Sequence, residues 1–115
     1  MSTPYAVDQE RWAKLDIFNQ MGNIYSEVGR SFKARDQVDT NTHNEALDEA
    51  LARAIDLFNA TILALAETKS PRAREVARSK EQFLTILFDK NASRQAIQSL
   101  DNYFMQFAVA ARLNR

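Results

Sequence analysis

Hydrophobic positions in this chain recur at helical spacing and nowhere alternate in the two-residue rhythm of a strand. Phe18, Met21, Tyr25, Val28 and Phe32 fall 3, 4, 3 and 4 residues apart. Ile17 and Ile24 widen that stripe on one side; Leu15, Gly22 and Gly29 widen it on the other. Asp8 has the chemistry of an N-cap, so the first helix is predicted over 8–35. Residues 36–41 read as a loop, after which Thr42, His43, Asn44 and Glu45 match the capping-box pattern. The second helix, over 42–69, carries Leu47, Leu51, Ala54, Phe58, Ile62 and Leu65 on one stripe. Ser70 and Pro71 then end one helix and begin the next, with serine as cap and proline where a missing N–H costs nothing. The third helix, over 71–89, holds Val76, Phe83 and Leu87, with Leu84 and Ile86 beside them. Asp89, Lys90 and Asn91 mark a break, Asn91 being suited to a left-handed turn. A fourth helix over 92–114 carries Ile97, Leu100, Phe104, Phe107 and Ala111.

Four helices with short connections make each antiparallel to the next, which predicts an all-α, up-down antiparallel four-helix bundle in one domain spanning 1–115. The first two helices would be about 40 Å long and the last two about 30 Å. Self-association would cover the apolar surface left by that excess. With 15 basic and 15 acidic residues the chain has zero formal charge, so bulk electrostatics supply no attraction to nucleic acid or an anionic membrane. The absence of cysteine removes disulfides, thiolate catalysis and thiolate metal sites. No apolar run reaches the ~18 residues of a membrane span, and the polar stretch Val7–Glu10 does not read as a signal peptide. The expected location is cytoplasmic.

Both glycines, Gly22 and Gly29, sit inside the first helix, where each costs roughly 1 kcal/mol relative to alanine. They serve either a tight internal crossing or a groove for a partner helix, lined by Trp12, Asn19, Gly22, Ser26 and Gly29 with Arg30 at its edge. The sole histidine, His43, lacks the spaced partners of a metal or catalytic site. Glu45, Asp48 and Glu49 suit the dipole at a helix start, and no second carboxylate pair faces them as a metal-dependent hydrolase requires. No metal or cofactor is therefore expected. Arg72, Arg74, Arg78, Lys80, Arg94, Arg112 and Arg115 form a basic set that could touch phosphates, diluted by Glu75 and Glu81. Leu63, Phe88 and Leu113 project off the stripes as candidates for a partner contact.

The phrases from Arg11 to Asp16, Met21 to Arg30, Ser70 to Val76 and Tyr103 to Ala108 resemble uncharacterised short helical proteins of reduced-genome bacteria. In architecture and length the chain is also similar to the four-helix proteins of ribosomal-RNA intervening sequences and to retroelement accessory proteins. The resemblance implies a pentamer binding RNA or a reverse transcriptase through basic surfaces. This chain departs from that pattern in its neutrality and in lacking a Phe-Pro loop before the second helix. Together these features predict a bacterial, non-enzymatic interaction or oligomerisation module that self-associates or docks a protein along the Trp12–Arg30 flank. One alternative is a nucleic-acid-associated bundle using Arg72, Arg74, Arg78, Arg112 and Arg115. The other is a small-molecule-binding bundle or small enzyme.

Overall fold

A computed structural model of the chain describes residues 7–37 and 44–113. They form five helices and, among the described residues, no strand: α1 (Gln9–Ala13), α2 (Ile17–Asp36), α3 (Glu45–Glu67), α4 (Arg72–Leu87) and α5 (Arg94–Leu113). The all-α expectation holds.

The single helix expected over 8–35 is two. Asp8 caps α1 as expected, its side chain accepting from the Arg11 N–H. The chain then breaks at Asp16, whose backbone is extended (φ −72°, ψ 166°). The Asp16 carboxylate accepts the Asn19 backbone N–H at 2.8 Å and so starts α2. Gln20 ties the break together, its amide donating to Trp12 O at 2.9 Å and to Leu15 O at 3.1 Å. With the break, α2 has 20 residues and matches α5, so the excess expected of the first helix is lost, while α3, with 23 residues, still outruns α4, with 16.

Other boundaries also move. Asn44 caps α3 by accepting the Leu47 N–H, in place of the predicted Thr42; Thr42 and His43 lie outside the described residues. α3 closes in a Schellman motif: Lys69 sits at φ 59°, Ser70 N–H reaches Leu65 O at 2.9 Å, and Lys69 N–H reaches Ala66 O at 3.0 Å. α4 opens one residue later than expected, with Pro71 at its cap position and no side-chain cap there, while the predicted cap Ser70 accepts the Arg72 N–H on its hydroxyl. Asn91 is not left-handed, since Lys69 alone among the described non-glycine residues has positive φ. Its N–H instead bonds the Asp89 side chain at 2.8 Å.

α2 packs between α3 and α5, α4 lies on α3, and α1 docks on α3. Side-chain bonds tie chain neighbours together: Asn44 bonds Ala34 O, Lys80 bonds Asn59, and Tyr103 bonds Glu75. The Phe18–Phe107 ring contact and the Tyr25–Asp101 bond pair ascending positions of α2 with descending positions of α5. Phe58, Phe83 and Phe104 meet at the centre, Phe58 standing 5.9 Å from each of the other two rings. Arg35 spans to the end of α4, donating to Ile86 O and Leu87 O, where a cation complements the helix dipole.

The buried face of α2 is rotated from the predicted stripe. Gln20, Glu27 and Ser31 are buried beside Met21, Ile24 and Val28, whereas Phe18, Tyr25 and Phe32 are half-buried. The reason is that α2 has neighbours on both flanks, so polar residues beside the stripe are enclosed too. Gln20 and Ser31 satisfy backbone carbonyls, and Glu27 Oε1 pairs with Arg30 at 2.9 Å, leaving Oε2 buried without a partner.

Candidate functional site

Residues of the predicted Trp12–Arg30 flank do not assemble into one groove. Trp12 is buried against α3, its indole N–H donating to Thr61 Oγ1 at 2.8 Å. Asn19 spends its side-chain amide on Asp16 at 2.9 Å. Gly22 is half-buried at the α2–α5 crossing, where an added Cβ would lie 3.5 Å from Ala108 Cα. Gly29 is exposed, with nothing within 4 Å of an added Cβ, and lies outside the buried arc expected for it. Ser26 and Arg30 are exposed beside it. One glycine thus serves an internal crossing, and the other faces open space.

The basic set is equally dispersed. Arg72, Arg74, Arg78 and Arg112 are all exposed, and Arg115 lies outside the described residues. Along α4 the arginines share the exposed arc with Glu75 and Glu81, so charge alternates instead of building a uniform positive strip. Leu63, Phe88 and Leu113 are exposed as expected, but they lie on three different helices or their ends.

The structure brings together a different set, along the seam between α4 and α5. Among sequential long helices these two approach least closely. The gap holds an open groove of about 590 Å³ lined by Arg78, Gln82 and Ile86 from α4 and by Ala96, Leu100 and Tyr103 from α5, among others. Its floor is apolar because Leu100 and Ile86 belong to the bundle's own hydrophobic cluster or pack against it. Its rim is charged, with Arg78 and Glu81 exposed. Phe88, 62% exposed, continues the α4 row Arg78, Glu81, Thr85 and Phe88 at spacings of 3, 4 and 3.

Across the seam Tyr103 donates its hydroxyl to Glu75 Oε1 at 2.8 Å. Burial and that carboxylate push the phenol well above its ordinary range, so it stays protonated and bridges the two helices. Beyond the bridge lies a second hollow, of about 290 Å³, lined by Phe18, Arg72, Glu75, Gln106, Phe107 and Ala110. Its lining mixes two aromatic rings with the guanidinium, carboxylate and amide of Arg72, Glu75 and Gln106. The periodicity of α4 and α5 marks their buried stripes, but no single-helix pattern shows that two helices stand apart; only Phe88 beyond the stripe hinted at it.

No group of three or more His, Asp or Glu side chains converges as a metal site among the described residues. No described helix is long and apolar enough to cross a membrane. Compared with known proteins, the chain matches no family model, no curated protein and no solved structure.

Proposed function

We propose that this protein is an up-down antiparallel four-helix bundle, with α1 as an added strap, that acts by binding protein rather than by catalysis. The α4–α5 seam is its contact surface, in place of the α2 flank. One observation carries this reading: an apolar-floored, charge-rimmed groove is left open between two helices, with an exposed phenylalanine in its own row. A small-molecule site has less support, because the groove is open rather than enclosed. An RNA surface along Arg72, Arg74 and Arg78 has less support because Glu75 and Glu81 share the face.

The chain has no cysteine, so a single introduced thiol reports one position cleanly. Ser99→Cys places that thiol in the seam, and Ser26→Cys places it on the exposed α2 flank. A permeant maleimide applied to intact cells should label Ser99→Cys much more slowly than in dilute purified protein, with no such difference at Ser26→Cys. Equal labelling of Ser99→Cys in both settings overturns the reading, and protection at Ser26→Cys alone returns the contact to the α2 flank.

A further inference from the structure

We infer that the occupant of the seam is a second copy of this chain, laid antiparallel so that α4 pairs with α4 about a twofold axis. This rests on the seam being a protein-binding surface and adds the partner and its orientation. Four observations carry it.

The first is the charge order of the exposed α4 row. Arg78 and Glu81 make no ion pair or side-chain hydrogen bond within the described residues. Both are exposed at the groove rim. Two such helices brought together antiparallel set Arg78 of each copy against Glu81 of the other, which is the self-complementarity a twofold interface requires. Parallel stacking would set like against like.

The second is what lies at the axis. That pairing puts it between Ser79 and Lys80, where two lysines would repel. Lys80 is turned away, donating to Asn59 of α3 at 2.9 Å, and Ser79 is buried with its hydroxyl on Val76 O. The axis is therefore clear of like charge.

The third is the register. The same alignment sets Arg74 opposite Thr85 and carries Phe88 over Pro71 of the other copy, one residue from Arg72. Phe88, 62% exposed in its own chain, is thereby covered by an exposed proline, and no like charges stand directly opposite along the row.

The fourth is size. A face about 24 Å long, from the 16 residues of α4, and two helices wide covers on the order of 500 Å² per copy. The total of about 1,000 Å² is at the lower limit for a specific interface, the size class of exchanging rather than obligate contacts.

The test is dimerisation of purified full-length protein, read by sedimentation velocity, with circular dichroism checking that each variant keeps its helix content. Arg78→Glu sets like charges together twice and should weaken dimerisation about tenfold or more. Adding Glu81→Arg to it swaps the pair and should restore the parent affinity to within about threefold, a rescue that a merely structural role for Arg78 would not produce. Phe88→Ala should weaken the dimer about tenfold, as loss of a seated aromatic does. A parent that stays monomeric, a dimer indifferent to Arg78→Glu, or a double variant that is not rescued would each overturn the inference. A monomer whose Ser99→Cys is nevertheless shielded in cells overturns only the second-copy assignment, leaving the seam occupied by a different protein; absent shielding sinks both.

Discussion

Replacing Thr61 by valine removes one oxygen from the interior and changes almost nothing else. Thr61 is fully buried, and Trp12, whose indole N–H it accepts at 2.8 Å, is 9% exposed, so no solvent reaches the donor left behind. Stranding a buried N–H costs about 1–3 kcal/mol. An unfolding entropy of roughly 2.1 cal/mol/K per residue gives about 0.24 kcal/mol/K for 115 residues, so Thr61→Val should lower Tm by roughly 4–12 °C. Because α1 is five residues long and held on α3 by this bond and by Gln9 to Ala60 O, part of the loss should appear as local undocking. Trp12 is the only tryptophan, which makes its emission a specific probe of α1. In Thr61→Val the emission should shift to the red below the main transition, while helix content at 222 nm still holds. Adding Trp12→Phe removes the stranded donor, and the double-mutant cycle should show a coupling of about 1 kcal/mol or more. A Thr61→Val protein with parental Tm and emission would refute this account and return Trp12 to the surface.

Two further perturbations follow from the same geometry. Gly29→Ala meets open space and should stabilise by about 1 kcal/mol in urea unfolding, as should Gly22→Ala, whose Cβ makes an ordinary contact with Ala108. Gly22→Leu should instead destabilise by forcing α2 from α5; a neutral Gly22→Leu would deny the crossing. Tyr103 and Tyr25 hold their phenolic protons more tightly folded than unfolded, because of burial and their bonds to Glu75 and Asp101. Their contribution is therefore complete below the unfolded value near 10 and is lost as pH rises through the folded values. Urea midpoints measured from pH 8 to 11 should fall more steeply for the parent than for Tyr103→Phe, and identical slopes would contradict the bridge.

Helix content and most core positions were legible because the periodicity of Val76, Phe83 and Leu87, or of Leu100, Phe104 and Phe107, needs only one helix to be read. The break at Asp16 was harder, since no proline or glycine marks it. Its signal was an aspartate three residues before Asn19 within an otherwise helical pattern. Burial of Gln20, Glu27 and Ser31 was not legible at all: it depends on neighbours on both flanks of α2, which a single stripe does not encode. The same limit explains the glycines. Spacing put Gly22 and Gly29 on one face, but α5 comes close at Gly22 and not at Gly29. The seam between α4 and α5 is likewise a property of the pair, and Phe88 was its only trace in the sequence.

The most direct measurement is sedimentation equilibrium of the unmodified chain from about 1 µM to about 500 µM, a range that suits an exchanging dimer. Association through the α4–α5 face predicts a mass rising from 13.1 kDa toward twice that value as concentration increases. A mass that stays at 13.1 kDa throughout would contradict it.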